Sequence, residues 1–390
     1  MRQKLFGFLK KYWTAIVLVF IVLLAIEVRL IDYRWPYLRN IDSYDFSRQM
    51  EETVENGTIP PVDKYKLAPD GSPRGTLNSY IYIGAYSYMF FRTFFPNMQL
   101  YDYLLWFPAL LAALMAIPMY FIGKLLYDKK AGLIAAAFIA FDASIMSRTL
   151  GGDPDSDGIT LLIPLIIIAL FLYTYKYSMN NKFDKKAVFF AIVTGLVSGL
   201  WRFVWGGFWF VIWLITGFII VKMVFDLIRV RNIKQLLLGI KPALLSYFII
   251  LIVFFMITIP GFGFAVVEAT MRGPIEFPTI KSETGSFPNV YVSVAELQNP
   301  GDAREIISRV GFPFFILLFS LFYLVYSYIK KRQHLDTLIL LGIWFLGPFF
   351  ATLVAVRFSI LFAAPIAIGS GILFSKLMRI TTGEDRSIED

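Results

Sequence analysis

The sequence has no cysteine and a single histidine, His334, among its 390 residues. The first absence excludes disulfides, thiolate nucleophiles, iron–sulfur clusters and cysteine-ligated zinc. The second excludes a poly-histidine metal cage and a serine triad with a spare base. Charge is scarce too, at 17% of residues against 57% hydrophobic. Soluble domains carry about 25% charged residues, and a mean hydropathy of +0.65 leaves too little polar surface to cover a sphere in water. These proportions exclude a soluble enzyme and predict an all-α polytopic membrane protein. The net charge of +9 reads as basic loops that orient helices, so no nucleic-acid partner is expected. Any chemistry falls to carboxylates, amines, hydroxyls and aromatic rings.

A helix needs about 20 apolar residues to cross the roughly 30 Å hydrocarbon layer. Such runs lie near 13–30, 102–123, 131–147, 158–175, 187–201, 204–225, 242–260, 312–329, 337–355 and 358–375, which makes ten. The first reads as a retained helix, because Glu27-Val28-Arg29 follows it where a cleaved signal would need small residues. The interrupted aromatic run from Tyr80 to Phe95 reads as interfacial or re-entrant. With Arg2, Lys4, Lys10 and Lys11 inside, every second loop is basic: Lys124, Lys129 and Lys130; Lys176, Lys182, Lys185 and Lys186; Lys222, Arg229, Arg231 and Lys234; Lys330, Lys331 and Arg332. The other loops then face outward, and two are long, about 31–101 and about 261–311. Residues 1–380 are expected to form one transmembrane domain, and 381–390 a short polar tail on the inner side.

The outward loops hold the unusual residues. Asp42, in Asn40-Ile41-Asp42-Ser43-Tyr44, is a candidate metal ligand; it also fits a helix cap, since Phe46, Met50 and Val54 follow at helical spacing. The segment Arg148-Thr149-Leu150-Gly151-Gly152-Asp153-Pro154-Asp155-Ser156-Asp157 packs three acids into five positions. Two unit charges ~4 Å apart cost ~4 kcal/mol at an effective dielectric of 20, so something positive belongs among them. Asp155 and Asp157 suit a hard divalent ion, and the adjacent glycines allow close approach; the plainer reading is a solvated turn capped by Asp157. Glu296, in Ser293-Val294-Ala295-Glu296, is either a further ligand or a simple loop acid. Arg357 and Arg202 sit at the outer edge, against the usual charge bias, where each suits a phosphate or snorkels to headgroups. Trp201, Trp205, Trp209 and Trp213 recur every fourth residue, which predicts one helix face used for packing or anchoring. Asn56-Gly57-Thr58 is an Asn-x-Thr acceptor sequon on the outer side, and Asn-Gly also favours a turn.

Taken in this order, the features resemble the catalytic subunit of oligosaccharyltransferase, the STT3 family of GT-C glycosyltransferases, in its archaeal-like form. The matching elements are Asn40 to Tyr44, Arg148 to Asp157, Ser293 to Glu296, Arg357 followed by Phe358-Ser359, and Trp205-Gly206-Gly207. The resemblance implies a GT-C-type transmembrane helix bundle that moves an oligosaccharide from a polyprenyl (pyro)phosphate lipid to the side-chain amide of an acceptor Asn. It implies that Asp42, Asp155 and Glu296 hold Mn2+ or Mg2+, with Asp157 as a further ligand. Asp42 and Glu296 would accept hydrogen bonds from the acceptor amide, twisting it and localising its lone pair. Arg357, and secondarily Arg202, would bind the lipid phosphate. Closure of the 261–311 loop would bring Glu296 to the metal when acceptor is bound.

The chain departs from the family in having fewer spans, no Trp-Trp-Asp triplet and no histidine in either the first outer loop or the Asp-x-Asp region. The family's C-terminal soluble domain is therefore expected to be absent, which leaves three readings open: a fragment, one half of a split enzyme whose partner chain supplies that domain, or a degenerate paralogue. The other expected partners are a lipid-linked oligosaccharide, an acceptor polypeptide with Asn-x-Ser/Thr, and membrane lipid. The expected location is the cell membrane with the site facing outside, or the ER membrane with a lumenal site. Three alternatives stay open: a non-catalytic membrane scaffold, a transporter of lipid-linked sugar, and a GT-C enzyme with a hydroxyl acceptor. Transport would call for charged or broken-helix positions near the midplane, and these acids lie at the edge.

Overall fold

The computed structural model describes residues 2–31, 37–180, 183–279 and 294–383. Lys182, the Phe287-Pro288 pair, Tyr291 to Ser293 and the tail from 384 onward lie outside the described residues. The described chain is helical almost throughout. In order the helices are α1 (Arg2–Leu30), α2 (Ile41–Asn56), α3 (Ser79–Phe94), α4 (Leu100–Leu114), α5 (Ala116–Leu126), α6 (Lys129–Ala140), α7 (Ala143–Met146) and α8 (Asp157–Asn180). They continue with α9 (Lys185–Arg202), α10 (Trp209–Val230), α11 (Ile233–Phe262), α12 (Ala265–Glu276), α13 (Ala303–Val310), α14 (Pro313–Lys331), α15 (Leu335–Val354) and α16 (Ala363–Thr381). Continuous apolar runs without a period of two leave helix as the form that satisfies every backbone polar group internally. Asp128, Asp184 and Asn232 start α6, α9 and α11 by accepting from backbone N–H groups one turn in. Pro118 lacks the N–H that would bond Leu114, and α4 ends at that residue.

Among the described residues, eight helical stretches are long and apolar enough to cross a membrane: Lys10–Leu30, Leu100–Leu126, Asp157–Asn180, Trp209–Val230, Ile233–Phe262, Pro313–Lys331, Leu335–Val354 and Val356–Thr381. The sequence reading had ten. The two that differ are α6, which stops at Ala140 because Asp142 caps a separate turn, α7, and the 18-residue α9. Both nevertheless run from one end of the bundle to the other. At what we call the lower end, Asp128 before α6 accepts from Ser375 Oγ of α16, Thr337 donates to Leu126 O at 2.7 Å, and Tyr175 donates to Asp336 at 3.2 Å. At the upper end, Ala140 O accepts from Arg29 at 2.8 Å, and Ser79 N donates to Phe203 O, just past α9, at 3.0 Å. The basic loops gather at the lower end, and the acids and outlying arginines at the upper.

Small residues set how closely the helices approach. A Cβ on Gly199 of α9 would lie 2.7 Å from Ile257 Cβ of α11, and one on Gly371 of α16 would lie 2.4 Å from Ala131 O of α6. The helix α3, covering the aromatic run Tyr80 to Phe95, keeps to the upper end: Tyr80 bonds Pro154 O at 2.7 Å, and Tyr88 bonds Met98 O at 3.1 Å. Its Phe90 and Phe94 are exposed. The four tryptophans do not share a helix face. Gly206 and Gly207 interrupt the helix between α9 and α10, so Trp201 is buried in the core while the Trp213 indole donates to Thr270 O of α12 at 2.7 Å.

Candidate active site

The upper end is built around the segment between α7 and α8, which other elements clamp from two sides. Arg29, wholly buried at the end of α1, donates to Ala25 O at 3.1 Å, Ala140 O at 2.8 Å and Thr149 Oγ1 at 3.1 Å. Its own carbonyl accepts from Gly151 N at 3.0 Å. The start of α2 grips the same segment. Arg39 N donates to Gly152 O at 2.7 Å, and its side chain donates to Gly151 O at 2.9 Å. Asn40 and Ser43 both donate to Asp153 Oδ1, at 2.6 and 2.8 Å. Gly151 is needed here because a Cβ would meet Leu30 Cδ2 at 2.8 Å and Leu105 O at 3.1 Å. The cap of α2 is Asn40, which accepts from Ser43 N at 2.7 Å, so Asp42 lies exposed in the first turn, where the helix dipole favours an acid.

With the segment fixed, its charged side chains point into a shared site. Arg148 donates to Asp157 at 3.1 Å and to Glu296 at 2.6 Å. Arg357 donates to the same two acids, at 3.1 Å and 2.6 Å. The result is a closed ring of alternating charge, Arg148, Asp157, Arg357 and Glu296, assembled from three distant parts of the chain. Burial raises the cost of charge on Glu296, yet Arg148 and Arg357 outweigh it and hold its carboxyl below the usual range. Burial likewise opposes the charge on Arg148, which Glu296 and Asp157 more than offset. Asp155 is outside the ring and in the opposite condition: burial first, and then the neighbouring Asp157, push its carboxyl up to about 6. Its Oδ1 accepts from Ser156 N–H and Oγ.

Two cavities open onto the ring. An apolar one of about 710 Å3 is walled by residues that include Leu161, Trp205, Trp209, Phe210, Phe358 and Leu361, with Asp157 and Arg357 at its polar margin. A smaller one of about 250 Å3 is lined by Ser144, Ser147, Arg148, Arg309, Arg357 and Ser359 among others. Arg357 and Ile360 line both.

The structure gathers Asp155, Asp157, Glu296 and Arg357 at one end, as the sequence implied, but in a different arrangement. Among the described residues no group of three or more His, Asp or Glu side chains is placed to hold a metal ion. The reason is that Asp157 and Glu296 face arginines, Asp155 is tied back to Ser156, and Asp42 points to solvent. Arg202 does not join the site either. Its guanidinium stacks 3.7 Å from the Phe262 ring centroid and 4.9 Å from that of Phe208. Ser293, the start of the Ser-Val-x-Glu match, lies outside the described residues. The sequence alone gives Arg148 no role of its own, counts Asp153 only as one of three clustered acids, names Arg29 only as following the first apolar run, and does not single out Arg309. For Arg29 the available signal was an arginine ending an apolar run; nothing local distinguishes Arg309.

Comparison with known proteins gives the family and the fold. Residues 13–384 match the family model for oligosaccharyl transferase STT3, N-terminal. A dolichyl-phosphooligosaccharide-protein glycotransferase of Methanococcus voltae is 24% identical over 379 residues, covering 86% of this chain and 41% of its own length. The Archaeoglobus fulgidus oligosaccharyltransferase AglB, solved with an inhibitory peptide and a dolichol-phosphate, superposes with a TM-score of 0.72 at 18% identity, covering 98% of this chain and 52% of that one. A structure of the A. fulgidus enzyme with Zn and sulfate gives 0.65 at 19% identity, covering 96% and 51%. The chain thus spans about half the length of the proteins it resembles or less. It belongs to the oligosaccharyl transferase STT3 family and is a multi-pass membrane protein with the fold of AglB.

Proposed function

From that membership, we propose that the chain transfers an oligosaccharide from a polyprenyl (pyro)phosphate lipid to the side-chain amide of Asn in an Asn-x-Ser/Thr acceptor, at an upper end that faces away from the cytosol. The observation that carries this reading is the position of Arg357, shared between the apolar cavity of about 710 Å3 and the ion ring that holds Glu296 and Asp157. The cavity walls suit the polyprenyl chain, and Arg357 at its margin suits the phosphate. The smaller, hydroxyl- and arginine-lined cavity suits the acceptor.

Chemistry follows from the ring. An amide nitrogen is a poor nucleophile, and carboxylates that accept both of its hydrogens would localise the lone pair; Glu296 and Asp42 are the proposed acceptors. Glu296 is held by Arg148 and Arg357. As negative charge grows on the departing phosphate it draws on Arg357, loosening that arginine's grip on Glu296 just as the acceptor amide needs it. Loss of the phosphate and activation of the amide are thereby coupled through one side chain.

The donor set suits a hard cation. Asp155 is a desolvated carboxyl raised to about 6 beside a second acid, a condition that a nearby ion relieves. Asp42, Asp155 and Glu296 would hold Mg2+ or Mn2+, with Asp157 as the further ligand, once Glu296 and Asp157 part from Arg148 and Arg357. When bound, such an ion would supply positive charge that stabilises the departing phosphate.

The test uses the full chain in lipid with a polyprenyl-phosphate-linked oligosaccharide, Mn2+ and an Asn-x-Thr peptide, read as glycopeptide mass. Transfer is expected with this peptide, absent with a peptide offering only Ser and Thr, and reduced at least a hundredfold in D42A, D155A and E296A. Full activity in those variants, or transfer to the hydroxyl peptide, would overturn the reading.

A further inference from the structure

We propose that the chain is itself an acceptor, carrying an N-linked oligosaccharide on Asn56. The sequence contains one Asn-x-Ser/Thr triplet, Asn56-Gly57-Thr58. The structure places all three residues in the open, at the C-terminal end of α2 on the upper side of the bundle. The triplet is therefore on the side where the proposed transfer operates, and the inference rests on that orientation.

Local geometry accommodates the product. Asn56 Nδ2 donates to Glu52 O at 2.7 Å. A glycosylated amide nitrogen keeps one hydrogen, so this bond survives while the sugar takes the outward direction. Gly57 turns the chain away with φ +72°, and a Cβ there would meet nothing within 4 Å, so there is room beside the sugar. Thr58 and Gly57 are docked: Thr58 Oγ1 pairs with the Tyr82 hydroxyl at 3.1 Å, and the Tyr86 hydroxyl donates to Gly57 O at 2.8 Å. Two tyrosines of α3 thus occupy the backbone and hydroxyl of the triplet once the fold is complete. Transfer takes place on the newly translocated segment, before α3 docks.

The co-reactant is a lipid-(pyro)phosphate-linked oligosaccharide. A bond forms between Asn56 Nδ2 and the first carbon of the sugar as that carbon's bond to the phosphate oxygen breaks. The phosphate leaves with the electron pair, and one amide proton is lost to it or to water.

The full chain, expressed in a host with active asparagine glycosylation, is digested and its 56-containing peptide weighed. A glycan on Asn56 is expected, abolished in N56Q and T58V and retained in T58S. The chain lacks cysteine, so E55C on the N56Q background reports the side of the membrane through a membrane-impermeant maleimide. Unmodified Asn56 with E55C labelled from outside overturns this inference and leaves the proposed transferase standing. Labelling only after permeabilisation overturns both the inference and the proposed orientation. Failure of the peptide assay with Asn56 occupied overturns the transferase reading alone, because the host's own transferase then modified the chain.

Discussion

Asp155 is a carboxyl whose surroundings resist its charge, and that makes it a reporter of the site. Its folded pKa of about 6 exceeds its ordinary value of 3.8, so the folded chain binds this proton more tightly than the unfolded one. Linkage then runs against stability as pH rises: the penalty is absent below about 4, grows through 6 and is complete above it. Without divalent cations, D155N should therefore melt higher than wild type at pH 7.5 and alongside it at pH 4. The stabilisation is on the order of 1–3 kcal/mol. Saturating Mn2+ should reverse the order at pH 7.5, because the ion favours the carboxylate that the variant lacks. Equal melting at both pH values would show that Asp155 is not desolvated. The ring makes a separate prediction. Arg148 and Glu296 lie 2.6 Å apart with side chains a quarter or more exposed, so solvent screens the pair and R148M and E296Q should couple by roughly 0.5–1.5 kcal/mol in a double-mutant cycle on thermal stability. Strict additivity would contradict the ring.

At the scale of elements, close helix approach governs where the site's pieces meet. The α9–α11 pair allows no side chain at Gly199, where a Cβ would stand 2.7 Å from Ile257 Cβ. G199L should separate these helices and lower the melting temperature by several degrees, while G239A on α11, whose Cβ would meet nothing within 4 Å, should be neutral or mildly stabilising. Matching losses in the two variants would count against packing as the cause. Helix positions were legible in the chain because each is a continuous apolar run bounded by polar loops, with every second short loop basic. Their ends were less so. The break at Gly206-Gly207 escaped a reading that followed tryptophans at every fourth residue, and α6 stops short of its apolar run because Asp142 caps a new turn.

Across the whole molecule, the basic loops lie at one end and the site's acids, with Arg148 and Arg357, at the other, and this placement was also legible, since it follows from which loops carry Lys and Arg. The side-chain partnerships at the upper end were not. Arg148 and Glu296 are 148 positions apart, and Arg357 reaches Asp157 across 200. Residue types told which groups belong to the site, but an acid set is equally consistent with a cation or with arginines until the fold decides which is nearer. Here the fold gives Glu296 and Asp157 to arginines and leaves Asp155 with the burden of burial. Arg202 went the other way, to the rings of Phe208 and Phe262.

The apolar cavity and Arg357 together are proposed as the seat of a polyprenyl phosphate. Binding of a polyprenyl monophosphate and of the matching phosphate-free polyprenol to the full chain in detergent, measured by native mass spectrometry for wild type and R357E, tests it most directly. Wild type should bind the phosphate at least tenfold more tightly than the alcohol, and R357E should remove the difference. Equal binding of the two lipids to wild type, or a preference for phosphate that survives in R357E, would contradict it.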